Sequence, residues 1–484
     1  MLNAKCVLFG ALLLAAGGCS RTSSDALAAS RIPLTGCAVA GVEGDARCGT
    51  YEVWENRAAR SGRRIRLNIL VLQARGASRA EDPVFYFDGG PGGGAVAAAP
   101  WVAALLRQVN ESRDLVFVDA RGTGGSNPLR CATPEDDAPL QEHFEEFLAD
   151  DFVRDCLRRQ HADVRFYTNP FAMDDVDEIR AELGYRRINL FGSSGGTRQE
   201  QVYMRRHPSS VRSVVMHGVH PMDGELPLPF AKALEHGIAA LAAACARDEP
   251  CHASHPDLAG DWERSKRQFD TGPVYADVEH RRTGRRERVR ITRGVYADGV
   301  RHLLYTMEDA WRLPALIRAA AAGDFDGFAQ RELALSIAYG RQLAHGTFMS
   351  STCAEDVRFI DEDDIRRETE GTFLGDYRVR RQQAACRIWP RGEGVDDGFQ
   401  EPVRVNAPVL VLSGDADVAT PAANGERVAK ALPNATHIVF PNQGHAFSNP
   451  ACASRLIAEF VAGASPDRLD TSCVAGTRRP RFGR

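Results

Sequence analysis

The stretch that most constrains this chain runs from Arg187 to Glu200. An apolar, β-like run, Ile188-Asn189-Leu190-Phe191, meets Gly192-Ser193-Ser194-Gly195-Gly196 and then the helix-like Thr197-Arg198-Gln199-Glu200. A strand that turns straight into a helix around a serine holds that serine at the apex of a very tight turn. Bulky neighbours would collide there, and glycines at 192, 195 and 196 remove them. Ser194 is therefore the candidate nucleophile. The backbone N–H of Gly195, at the start of the helix, is a candidate donor to an oxyanion. The box alone is short enough to arise as a glycine-rich connection. It gains meaning only if an acid and then a histidine follow, each at the end of a later strand.

Both follow. Pro408-Val409-Leu410-Val411-Leu412 reads as a buried strand and ends in Ser413-Gly414-Asp415-Ala416-Asp417. His437-Ile438-Val439-Phe440 reads as the next strand and runs into Asn442-Gln443-Gly444-His445. Parallel strands place their C-terminal ends on one rim, so Ser194, an aspartate and His445 can converge there as a nucleophile–acid–base set. Alternation along an extended segment lets either Asp415 or Asp417 point inward, and the residues alone leave both open. Upstream, Arg64 to Leu72 reads as an antiparallel strand, and Val84-Phe85-Tyr86-Phe87 and Leu115 to Val118 as buried strands. The second of these three runs into Asp88-Gly89-Gly90-Pro91-Gly92-Gly93-Gly94, a loop placed to supply the other oxyanion donor, the N–H of Gly90. After the third, Asp119 and Arg121 are expected to pair with each other and fix their loop. Residues 140–183 read as charged and helical, with Asp174, Asp175, Asp177 and Glu178 as a solvated face. Val211 to Val219 gives one more strand, after which the pattern turns mostly helical. A basic interruption, Arg281 to Arg286, reads as a hairpin tip in solvent.

These elements predict an α/β class chain with the α/β-hydrolase fold, a mostly parallel central sheet flanked by helices, with an inserted, mainly helical cap. The expected divisions are a signal segment at 1–19, a leader at 20–47, core at 48–221, cap at 222–395 and returning core at 396–484. A chain of 484 residues suits a large domain with an insertion. Hydrophobic content of 44% and charge of 26% are those of a folded globular protein. A net charge of −4 gives no general attraction to nucleic acid, and no zinc-finger, helix-turn-helix or phosphate-loop pattern is visible. A peptide or small ester or amide is the expected partner, and a monomer the expected state. Serine-based acyl transfer needs no metal or organic cofactor.

The N-terminus reads as an export signal. Lys5 precedes an apolar run from Val7 to Ala16, too short to span a membrane, and Gly17-Gly18-Cys19 follows. Ala16-Gly17-Gly18-Cys19 resembles a bacterial lipobox, without the usual leucine. Lipidation of Cys19 would tether the chain to the cell envelope; cleavage without lipidation would leave it periplasmic or secreted. Of the 12 cysteines, Cys6 and Cys19 belong to this segment and ten remain, an even set that suggests disulfides in an exported chain. Cys251-His252-Ala253-Ser254-His255 has no second ligand pair at metal spacing, so a disulfide beside surface histidines is expected there and no metal site.

Four segments together resemble the tripeptidyl aminopeptidase-like branch of the proline iminopeptidase family, peptidase family S33. They are Gly89 to Gly93, Asp119 to Gly124, Gly192 to Arg198, and Gly414-Asp415-Ala416-Asp417-Val418-Ala419-Thr420-Pro421. The resemblance spans about Cys48 to Cys473. It implies an exported bacterial serine exopeptidase that releases short peptides or proline from free N-termini beneath a helical cap. It favours Asp417 as the acid and implies a C-terminal region like that of the tripeptidyl aminopeptidases. With the short spacings, it also implies the pairs Cys37–Cys48, Cys131–Cys156, Cys245–Cys251, Cys353–Cys386 and Cys452–Cys473. Two positions depart from the family: Gly195 replaces a bulky aromatic, and Asp88 stands where proline iminopeptidases have histidine. The hydrolytic machinery survives both changes, while pocket shape does not carry over. Because the family places amine-reading acids in its cap, Glu355 and Asp356, beside Cys353, are the expected substrate-binding groups. A small-molecule esterase or amidase with the same triad, and a binding protein on a hydrolase scaffold, are the competing readings.

Overall fold

The structure is a computed structural model, and it describes residues 30–135, 137–448, 450–466, 469–478 and 481–482. The expected signal segment, with Cys6 and Cys19, lies outside the described residues. Nine strands form one sheet in the order β1-β2-β3-β5-β4-β6-β7-β10-β11. They are β1 (Thr35–Gly36), β2 (Ala46–Trp54), β3 (Arg64–Leu72), β4 (Val84–Phe87), β5 (Leu115–Val118), β6 (Ile188–Ser193), β7 (Val211–His217), β10 (Val409–Gly414) and β11 (Ala435–Phe440). The first three connections in that order are antiparallel and the remaining five are parallel. β4, β5 and β10 are buried along their whole length, because helices cover both faces of a parallel sheet. β3 alternates at its start and becomes continuously buried toward its end, as its sequence does. β2 has no clear apolar signature, carries Gly49 in its middle, and was not legible in the sequence.

One apolar cluster packs on each sheet face, and a third forms inside the cap around Leu234, Trp262, Phe269, Tyr296, Phe325 and Phe328. The helices that matter below are α1 (Asn169–Glu182), α2 (Gly196–Arg206), α3 (Phe230–Arg247), α4 (Arg293–Leu303), α5 (Asp326–Gln342) and α6 (His345–Glu355). α3 to α6 lie in the segment between β7 and β10 that is called the cap below; α6 packs Met349 and Cys353 into the cluster on one sheet face. The cap also holds a hairpin, β8 (Val274–Glu279) and β9 (Arg286–Ile291), and the basic stretch Arg281–Arg286 turns between its strands.

All five disulfides join the expected partners: Cys37–Cys48, Cys131–Cys156, Cys245–Cys251, Cys353–Cys386 and Cys452–Cys473. Among the described residues no cluster of His, Cys, Asp and Glu could hold a metal ion, and no helix is long and apolar enough to cross a membrane.

Three expectations need correction here. The acidic run on α1 is an ion-pair seam, not a solvated face. Asp175 is buried and takes both arms of Arg121 (2.7 and 3.0 Å) and one of Arg57 (2.6 Å). Asp174 pairs with Arg206, Asp177 with Arg180, and Glu178 with Arg57. Arg121 and Asp119 are both structural but do not pair. Asp119 instead accepts from Asn68 Nδ2, Val96 N and Gly125 N, and so ties its own loop to the first turn of the helix after the glycine loop. The segment 140–183 is also broken, with a helix at Asp150–Arg159 separated from α1 by irregular chain.

Candidate active site

Ser194 stands between β6 and α2 at φ 57°, a left-handed conformation strained for a residue with a side chain. Its surroundings over-determine it. Its N–H donates to the carbonyl of His217 at the end of β7 (2.9 Å), and its carbonyl accepts from Thr197 N (3.0 Å) and Thr197 Oγ1 (2.6 Å). Close packing dictates the flanking glycines. A Cβ at 192 would come within 2.5 Å of the Glu200 carboxyl, and one at 196 within 2.1 Å of the Phe87 carbonyl oxygen.

The glycine loop after β4 folds against this turn: a Cβ at Gly89 would lie 3.3 Å from Ser194 Oγ. A Cβ at Gly195 would lie 3.3 Å from the nitrogen of Gly90, so the two expected oxyanion donors are neighbours. Among the described residues neither N–H has a protein acceptor, which leaves both free for an oxyanion. Asp88 anchors the loop from beneath, accepting from the buried hydroxyl of Tyr86 (2.9 Å). Burial pushes the Asp88 carboxyl up to about 6, against that hydrogen bond.

The acid and base arrive on the next two strand ends. His445 Nδ1 lies 2.9 Å from Asp417 Oδ2. Asp417 is buried, and its Oδ1 accepts from the N–H groups of Ala419 and Thr420, both 2.8 Å away. Thr420 Oγ1 donates to Asp417 Oδ2 (2.7 Å) and sits 3.0 Å from His445 Nδ1. Thr420, three residues after Asp417 in the same turn, thus orients the candidate acid. Asp415, the rival acid, is exposed on the outside of the same turn. Burial disfavours the charged imidazole of His445, but the charge of Asp417 and its hydrogen bond outweigh that and hold His445 above the ordinary histidine value. For Asp417 burial acts upward, and His445 with the Thr420 donors brings it below the usual carboxylate range. Gly218, next to the residue that holds Ser194, packs on the base: a Cβ there would lie 3.1 Å from His445 Cε1. Nucleophile and base thus flank the end of β7. His217 is a second imidazole nearby, kept neutral by burial and the proximity of His445, which bring it down to about 4.

Glu355 and Asp356 do not offer carboxylates to a substrate. Both are buried. Glu355 accepts from Asn169 N (2.8 Å) and Asn169 Nδ2 (2.6 Å), and burial pushes it up to about 7. Asp356 pairs with Arg198 of α2 (3.1 Å) and His220 (3.3 Å). Glu355 docks the end of α6 onto the start of α1 and Asp356 docks it onto α2, behind the nucleophile turn, and the sequence carried no sign of those distant partners.

The cap residues that reach the site carry no motif. The Tyr305 ring lies 5.4 Å from His445, His302 lies 5.3 Å from Tyr305, and Tyr339 stacks on His302 at 5.6 Å. Leu343, just beyond α5, would meet a Cβ on Gly90 at 3.1 Å, and Ala344 N donates to Gly92 O (3.1 Å). Glu332 stands two turns before Tyr339 on α5. Its Oε2 is buried with no hydrogen-bond partner, and burial pushes it up to about 8, with Asp298 adding and Arg301 and Arg331 opposing. The candidate nucleophile and base, two N–H groups without a protein acceptor, and the rings of Tyr305, His302 and Tyr339 thus gather where the cap meets the sheet ends.

A family model described as the alpha/beta hydrolase fold matches residues 82–448. Serine protease Hip1 of Mycobacterium tuberculosis (strain ATCC 25618 / H37Rv) is 25% identical over 433 residues, 80% of this chain and 79% of that one. Tripeptidyl aminopeptidase of Streptomyces lividans is 30% identical over 188 residues, 36% of this chain and 35% of that one. Among solved structures, proline iminopeptidase of Mycobacterium smegmatis matches with a TM-score of 0.40 and 16% identity, covering 86% of this chain and 98% of that one.

Proposed function

The chain belongs to the alpha/beta hydrolase fold family, and we propose that within it this protein is an exported serine aminopeptidase that works through an acyl-enzyme on Ser194. Ser194 Oγ attacks the scissile carbonyl as His445 accepts its proton. Asp417, oriented by Thr420, holds the imidazole tautomer and stabilises its charged form. The N–H groups of Gly195 and Gly90 receive the oxyanion. The leaving amine takes the proton from His445, and water then releases the acyl group by the same route. The peptidase reading is supported by the names of the two relatives, and export by five disulfides in one chain.

The observation that carries the aminopeptidase reading is Glu332. A buried carboxyl group whose Oε2 has no hydrogen-bond partner holds its proton near neutral pH even beside Arg301 and Arg331, and an arriving ammonium would let it ionise. The Tyr339 ring, close enough for its hydroxyl to feel the Glu332 charge, suits a cation as well. Glu332, rather than Glu355 or Asp356, is then the anchor for a free N-terminal amine. Glu332→Gln should raise KM for free peptide 4-nitroanilides by the loss of a charge-assisted hydrogen bond, about 1.5–3 kcal/mol. N-acetylated peptides, already poor substrates, should change little. Equal cleavage of free and acetylated peptides by the wild type, with faster turnover of 4-nitrophenyl esters, would replace this reading with that of a small-molecule esterase. Failure of a fluorophosphonate to label Ser194 would leave only a binding role.

A further inference from the structure

We infer that the cap positions the catalytic histidine and its acid, and is not solely a cover for substrate; the inference rests on the triad Ser194–Asp417–His445. The cap is stitched to the loop of His445 by backbone. Ala446 N donates to Tyr305 O (3.3 Å), and Thr306 and Ala446 form a parallel β-bridge. The contact is so close that Gly444 tolerates no side chain: a Cβ there would stand 2.8 Å from the Tyr305 carbonyl oxygen. The Tyr305 ring then lies against His445 itself.

The acid loop is held the same way. Val418, the residue after Asp417, is buried in the apolar cluster of the cap rather than in either cluster of the sheet. Its side chain and that of Leu304 both close on Gly237 of α3, where a Cβ would meet them at 2.6 and 2.8 Å.

The brace is stiff. The Tyr305 hydroxyl accepts from Arg301, a wholly buried cation that also donates to Asp298 (2.9 Å) and lies 3.9 Å over the Phe230 ring. Arg378 pairs with the same aspartate. A two-residue contact, Leu304–Tyr305, thus transmits the packing of the cap to both loops that carry proton-transfer groups. The end of β7 supports the same loops from the sheet side, through Gly218 against His445 and Thr420.

Gly444→Ala tests this, because it pushes the Tyr305 carbonyl away without touching substrate or adding a charge. A displacement approaching 1 Å at the base costs on the order of tenfold to a hundredfold in rate. Gly444→Ala should therefore slow fluorophosphonate labelling of Ser194 by about tenfold or more. It should lower kcat by the same factor for a 4-nitrophenyl ester and a peptide 4-nitroanilide, with KM nearly unchanged. Tyr305→Phe, which keeps the ring and removes only the tie to Arg301, should move kcat and labelling the same way by a smaller factor, and it decides the matter if Gly444→Ala does not fold. Ser194→Ala is the separate control, since labelling that persists in it removes the triad reading itself. With that control blank, wild-type labelling rates in the glycine and tyrosine variants, or losses confined to KM, would overturn the brace.

Discussion

Replacing Gly196 with alanine tests the geometry of the nucleophile turn at a single contact. A Cβ at 196 would stand 2.1 Å from the carbonyl oxygen of Phe87 and 2.7 Å from its carbonyl carbon. Ordinary contact starts at 3.4 Å, so roughly 1.3 Å must be found by separating α2 from the end of β4. Neither partner yields easily. β4 is hydrogen-bonded to β5 on one side and β6 on the other, and α2 begins two residues after Ser194. The displacement therefore falls between Ser194 and the loop that carries Gly90. A misplacement of about 1 Å costs on the order of a hundredfold in rate, and overpacking costs about 1–3 kcal/mol in stability. Gly195→Ala is the graded comparison, because its Cβ meets the Gly90 nitrogen at 3.3 Å and needs only a few tenths of an ångström. Its loss should stay within about tenfold. Fluorophosphonate labelling rates measure the nucleophile directly, kcat and KM on one peptide separate chemistry from binding, and thermal unfolding reports the packing cost. Wild-type labelling and wild-type Tm in Gly196→Ala, or equal losses in the two variants, would refute the reasoning.

Three further outcomes follow from the same structure. The acid limb of kcat/KM should lie above the ordinary histidine value of 6.5, because His445 must be neutral to act as base and Asp417 raises it; Asp417→Asn should move that limb to lower pH while cutting kcat severely, and an unmoved limb would dissociate the two residues. Arg121→Met leaves Asp175 buried against Arg57 alone, and breaking a buried pair on one side costs about 3–5 kcal/mol, measurable as a fall in the urea midpoint; a loss under 1 kcal/mol would mean that the pair is not desolvated as described. Replacing both Cys353 and Cys386 with serine reopens a 33-residue separation and should cost about 2–4 kcal/mol in non-reducing denaturant titrations, with no change expected from reductant in that variant beyond the other four bridges.

What the sequence determined by itself is the chemistry that local geometry imposes. A strand that turns into a helix around Ser194 leaves little room for side chains beside the serine and favours the glycines at 192 and 196, and a run buried on both faces, as at Val84–Phe87, must be apolar along its whole length. Parallel strands then bring their ends to one rim, so His445 and an acid at Asp415 or Asp417 were legible from chain order, while the preference for Asp417 and the five cysteine pairs came with a family resemblance. Only the tertiary structure decided the rest. Asp175 reads as one acid among four until the packing of α1 places it against Arg121 and Arg57. Glu355 and Asp356 look like free acids of a cap until Asn169, Arg198 and His220 close on them from elements more than a hundred residues away. Glu332 and Tyr305 look like ordinary helix-surface and helix-end residues until the cap buries one with no hydrogen-bond partner for its Oε2 and sets the other against His445. The physical reason is the same each time: a tight turn or a buried strand constrains the residues within it, whereas a partner supplied by long-range packing leaves no trace at the position that receives it.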